Sequence, residues 1–256
     1  MDVAALAYVV VKAQDPASWS SFGEAMLGMS AHPAGSGIAL RMDERAGRVF
    51  VERGESDCYF ASGWELRSAA EFEAAKDRLR THGVAFHAAS EAELALRHVF
   101  DMVWFRDPSG NRHELSYGYR TGFERFVSPA GVPSFVTGDL GLGHMVLPAP
   151  QIDATRAFMM DVLGFGLSDI LVHRPAPGIE QRIDFMHCGN GRHHSLALFE
   201  GEVSSGCVHL MFEVGSLDEV GRAYDRMLAQ GVRLMATLGK HTNDHMTSFY
   251  FMSPGG

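Results

Sequence analysis

The sequence predicts an α+β fold of two similar halves, each made of two βαβββ modules. An internal repeat is the first observation behind this. Leu6 to Asp15, followed by a helical stretch to Leu27 and Gly28, resembles Leu142 to Gln151, followed by a helical stretch to Leu163 and Gly164. Tyr8 to Leu27 and His144 to Leu163 both span 19 positions, an offset of 136 between copies. A second pair of segments is the next observation, with Trp64-Glu-Leu-Arg and Gly83-Val84 repeating as Phe212-Glu-Val-Gly and Gly231-Val232 at offset 148. A third pair sets Val103 to Gly110 against Phe249 to Gly256 at offset 146. The last observation is periodicity. Arg48-Val-Phe-Val-Glu and Ser195-Leu-Ala-Leu-Phe alternate with period two, whereas Ala69 to Arg80 and Leu217 to Leu228 place apolar residues at helical spacing.

Taken in order, the apolar run Val3 to Val11 reads as a first strand, since it has no basic residue before it and stops at Lys12, Gln14 and Asp15. Asp15-Pro16 supplies an N-cap and a proline at the first helical position. Gly83 and Gly231 stand where the caps closing the two later helices belong. Pro-Gly turns close both copies of the third segment. The stretch Val127 to Pro133, with its Gly, Pro and Ser, places a boundary between a domain over 1–133 and a domain over 134–256. The last module stops at a turn, one strand short of its counterpart, and that strand is expected beyond Gly256.

Composition narrows the classes of function. The chain of 256 residues has 46% hydrophobic and 21% charged residues, near the globular averages. With 31 acidic against 22 basic residues, a net charge of -9 and no Lys/Arg run, nothing gathers phosphates, so no nucleic-acid partner is expected. No apolar run is long enough to cross a membrane as a helix. Three separated cysteines, Cys58, Cys188 and Cys207, suit a reducing compartment, and the cytoplasm is the expected location.

If the halves share a fold, chemistry belongs where one half carries an able side chain and its counterpart does not. His144 stands opposite Tyr8, and His209 opposite Ala61, each in a strand that opens a module of the second half. The counterpart of Glu114 falls four residues beyond Gly256. Two imidazoles and a carboxylate would make the facial triad that holds Fe(II) with open positions.

Four segments carry a resemblance to a known family: Gly141 to Leu147, His187 to Ala197, Val208 to Glu213, and Gly239 to Asp244 with Ser248-Phe-Tyr250. Their order and residues resemble type I extradiol dioxygenases of the vicinal oxygen chelate superfamily. The resemblance implies paired βαβββ modules forming a funnel-like mixed sheet, as in glyoxalase-like folds. It implies Fe(II), with Mn(II) as the other metal taking such ligands, held by His144 and His209 and a third carboxylate ligand. It implies His194 as the acid–base group, and His241, Asn243, Asp244 and Tyr250 around the substrate, with His194, His241 and Tyr250 taking part in catalysis. The expected reaction inserts both atoms of O2 into a bicyclic or substituted catechol, opening the ring beside its hydroxyls. Such folds commonly associate through sheet or loop surfaces, so a homo-oligomer is expected.

Two other readings stay open at this point: a metal-dependent glyoxalase-like lyase or isomerase, and a metal-free module that sequesters small molecules. Outside the implied set, His193 is expected on the opposite strand face from His194 and structural. Phe185, Met186 and Phe158 are candidates for an apolar pocket wall.

Overall fold

The computed structural model describes residues 3–122 and 124–256. The apolar start forms β1 (Ala5–Ala13), buried over nearly its whole length. Asp15 accepts from the Ala17 backbone N–H and, with Pro16 behind it, opens α1 (Pro16–Ser21). The chain continues from Phe22 to Leu27 as a wider π-type turn rather than α-helix. A side chain at Gly23 would meet Leu40, so helix and sheet approach closely there. Strands β2 (Ser30–Ala34), β3 (Gly37–Arg41) and β4 (Val49–Arg53) complete the first module.

The second module comprises β5 (Cys58–Leu66), α2 (Ala69–Thr81), β6 (His87–Ala88), α3 (Glu91–Arg97), β7 (Asp101–Arg106) and β8 (Arg112–Tyr117). Ser68 caps α2, and Ser90 with Glu93 forms a full capping box on α3. The third runs β9 (His144–Pro148), α4 (Ile152–Asp161), β10 (Gly166–Ala176), β11 (Ile179–His187) and β12 (Leu196–Phe199). The fourth contains β13 (His209–Met211), α5 (Leu217–Ala229) capped by Ser216, β14 (Leu234–Lys240) and β15 (Thr247–Phe251). Among the described residues, no helix is long and apolar enough to cross a membrane.

Mixed sheets join these elements. The first half forms one sheet in the order β2-β3-β4-β1-β5-β8-β7-β6. The second half gives a sheet in the order β10-β11-β12-β9-β13 and a separate β14-β15 pair. Both halves use one local plan: β1 lies parallel to β4 and antiparallel to β5, and β9 lies parallel to β12 and antiparallel to β13. The register agrees to the residue, with Val10 opposite Ala61 in one half and Val146 opposite His209 in the other.

A single apolar cluster runs through both halves, with Leu6, Val9, Trp64 and Phe105 joined to Leu142, Met145, Leu196 and Leu198. Burying each such side chain contributes about 1.5–3 kcal/mol before conformational entropy is set against it. Backbone bonds tie the halves together, Leu142 N–H to Leu6 O at 2.8 Å and Gly189 N–H to Val3 O at 3.0 Å.

The first half has a polar centre of its own. Tyr8 fills the space left by Gly63, where a side chain would collide with its ring, and donates to Glu114 Oε2 at 2.8 Å. Arg97 and Arg112 both donate to the fully buried Glu114 carboxylate, and Arg97 reaches on to Glu52 at 2.7 Å. Burial, then the Glu114 charge, hold the Tyr8 phenol well above its ordinary value, so Tyr8 remains a donor.

Candidate active site

The site grows from β9 and β13, the antiparallel pair at one edge of the five-stranded sheet. His144 begins β9 immediately after Gly143, whose φ of 146° is open to glycine and strained for other residues. A Cβ there would lie 2.0 Å from the Met211 carbonyl oxygen, so this glycine lets the strands close up beside the histidines. His209 begins β13, opposite Val146. The two Nε2 atoms come within 3.2 Å of each other, from rings tilted by 63°.

Burial lowers both groups. The His144 imidazole is held well below its ordinary 6.5 by burial and by the neighbouring His194 and His209. His209 is pushed down to about 4 by burial, then by His194 and His241. Both are neutral near pH 7 and offer lone pairs, the form in which histidine binds a metal. Among the described residues, no third His, Cys, Asp or Glu joins them in a metal-holding group.

His194 lies against this pair, its ring centroid 4.0 Å from that of His144. Burial pushes it down to about 4, against the opposing pull of Asp244. Phe185 covers it at 4.9 Å, edge to face. Two other residues expected in the wall lie elsewhere: Met186 is fully buried in the core cluster, and Phe158 packs on Phe105 at 5.9 Å.

The opposite wall comes from β15 and the turn before it. Tyr250 sits edge to face with His209 at 5.1 Å, and its hydroxyl is 3.0 Å from His241 Nε2. Ser248 Oγ reaches the same nitrogen at 3.2 Å. The other nitrogen, His241 Nδ1, faces Asp244 Oδ1 at 3.3 Å. Asp244 is fixed in turn, accepting from the Met246 backbone N–H at 3.0 Å, while the Asn243 side chain accepts from the Asp244 backbone N–H at 2.9 Å. Asn243 therefore shapes the turn. Burial outweighs the opposing Ser248 hydrogen bond and, with a smaller contribution from the Asp244 charge, raises the Tyr250 phenol and keeps its proton.

One expectation is corrected here. Residues 188–195 form a turn rather than a strand, so the alternation that would send His193 to the opposite face does not operate. The rings of His193 and His194 lie 5.3 Å apart at 90°, with their Nδ1 atoms 3.1 Å apart. Ser248 lay within a segment that carried the resemblance, but its contact with His241 was not among the expected roles.

Known proteins show the same architecture. Residues 141–256 match the Glyoxalase/Bleomycin resistance protein/Dioxygenase superfamily, and residues 6–54 match Dihydroxybiphenyl dioxygenase BphC D1. An iron-dependent extradiol dioxygenase of Rhodococcus jostii (strain RHA1) is 42% identical over 264 residues, which cover 100% of this chain and 87% of that protein. A biphenyl-2,3-diol 1,2-dioxygenase of Paraburkholderia xenovorans (strain LB400) is 40% identical, covering 100% of this chain and 86% of that one. The crystal structure of BphC, a halotolerant catechol dioxygenase, matches with a TM-score of 0.90 at 36% identity, over 99% of this chain and 84% of that one. The crystal structure of a catechol 2,3-dioxygenase gives 0.94 at 30% identity, over 100% and 86%. With such identity sustained along the full chain, the protein belongs to the extradiol dioxygenases, enzymes that cleave the ring of a catechol.

Proposed function

We propose that this dioxygenase uses Fe(II), held by His144 and His209, to open a bicyclic or substituted catechol of the 2,3-dihydroxybiphenyl kind. The observation that carries the reading is the convergence of two neutral Nε2 atoms, 3.2 Å apart, from register-paired strands. Such a donor set fits a divalent metal of intermediate softness, and Mn(II) accepts the same ligands. Iron-dependent and biphenyl-2,3-diol relatives near 40% identity support the metal and the substrate class. On this reading 134–256 is the catalytic domain and 1–133 a scaffold without a metal site.

Bound Fe(II) would hold catechol and O2 side by side and carry electron density between them. The chain's own groups do the rest. His241 has one lone pair at Nε2 once its Nδ1–H is given to Asp244. Ser248 and Tyr250 both point at that lone pair, so one hydroxyl is free to donate to a catechol oxygen. Neutral His194 takes a proton only when negative charge arrives beside it. An anionic catechol supplies that charge and favours the imidazolium, so the proton is kept while substrate is bound. Phe185 beside it keeps water away and presents an apolar face to a second ring.

The test loads the protein anaerobically with Fe(II), then adds 2,3-dihydroxybiphenyl in air while O2 uptake and yellow product are followed. Uptake with colour, lost together with bound iron in His209→Ala, is the expected result. Bound iron and turnover surviving in His209→Ala would overturn the assignment.

A further inference from the structure

We propose that His193 is a positioning residue for His194, fixing the plane and tautomer of that ring so that Nε2 is the nitrogen presented to the pocket. The proposal rests on the reading of His194 as the proton acceptor. The Nδ1 atoms of His193 and His194 lie 3.1 Å apart, the distance at which one ring's N–H is donated to the other's lone pair. The tautomer of one ring is therefore tied to that of its neighbour. With Nδ1 committed to His193, only Nε2 of His194 remains for the site. A ring free to flip would divide its time between two nitrogens and present a carbon in place of a lone pair.

The holder is itself held. The Ser168 hydroxyl donates to the His193 carbonyl and lies 2.7 Å from His187 Nδ1, which anchors the backbone to β10 and β11. Before the pair, Arg192 donates to Leu140 O at 2.7 Å and Val136 O at 3.1 Å and pairs with Glu213. After it, Ser195 N–H donates to Met186 O at 2.9 Å. The turn is thus pinned on both sides of the two histidines, beyond what exposed loop backbone needs. Groups that orient a reacting side chain typically cost about 10- to 100-fold in activity when removed.

The test uses the full chain loaded with Fe(II), with 2,3-dihydroxybiphenyl as substrate. His193→Phe keeps the aromatic bulk and loses the nitrogen; kcat should fall about 10- to 100-fold while KM moves less than about threefold. His193→Asn, whose amide returns a polar atom near Nδ1, should recover most of that loss. In metal-free protein, 15N spectra of the histidines should show the His194 tautomer balance shifting in His193→Phe and restored in His193→Asn. Wild-type kcat in His193→Phe overturns the proposal, as do equal losses in both variants with an unchanged His194 spectrum. If the Phe variant does not fold, the Asn variant and its spectrum decide. Wild-type turnover in His194→Ala would instead overturn the acceptor reading, which the spectra keep distinct because they need no turnover.

Discussion

Two hydroxyls compete for one lone pair on His241, and which of them faces the substrate decides how the pocket binds. Tyr250 is favoured, because burial keeps its proton and its ring already lies against His209. Tyr250→Phe should lower kcat/KM about 10- to 100-fold by steady-state kinetics with a catechol. An unchanged kcat/KM would reassign the donor to Ser248. Much of this wall was legible in the sequence because the resemblance ran through Gly239 to Tyr250, and His144 and His209 stood out where the repeat placed Tyr8 and Ala61. His193 was not legible. Its place depends on whether residues 188–195 are strand or turn, and adjacent histidines look the same in both.

Strands β9 and β13 set the distance between the histidines, and Gly143 sets how closely those strands approach. Gly143→Ala would put a methyl into the Met211 carbonyl at a φ of 146°. The expected cost is about 1–3 kcal/mol of stability, with weaker iron binding because β13 is pushed off. Chemical denaturation and iron content after gel filtration would check both, and an unaffected iron content would show that the strands yield elsewhere. Helices were the readable elements, since Asp15 with Pro16 opens α1, and Gly83 and Gly231 take the left-handed backbone just past α2 and α5. The hairpin of β10 and β11 was not. Its apolar residues Ile170, Leu171 and Val172 run consecutively and remain exposed, so they follow no alternation that a buried face would impose.

At the scale of the molecule, the halves share a plan and differ in what sits at the centre. Glu114→Gln should leave Arg97 and Arg112 short of a buried partner and cost about 3–5 kcal/mol in urea unfolding. Iron stoichiometry should be unchanged, since Glu114 lies in the other half; a loss of iron would mean that the halves respond as one unit. Acid should act on the first half too. Burial works to raise the Asp43 and Glu52 carboxyls, but Arg48 outweighs it at Asp43, as do Arg97 and Lys12 at Glu52, so both lie below their ordinary 3.8 and 4.5. Groups lowered on folding stabilise above their unfolded values, and that contribution is lost as pH falls through the folded ones. Thermal unfolding followed from pH 7 to pH 3 should show Tm dropping most steeply below about pH 4.5, and less steeply in Glu52→Gln. A Tm flat across that range would remove these carboxylates as the cause.

The guanidiniums on Glu114 have a last consequence. A cation taken from solution can be stripped by a chelator or lost when iron is scarce, whereas a cation borne on a side chain stays with the polypeptide. The first half carries its positive charge permanently on Arg97 and Arg112, whereas His144, His194 and His209 in the second are held unprotonated near pH 7. On the proposed reading, starvation for iron would silence turnover while leaving the charge pairs at the centre of the first half in place.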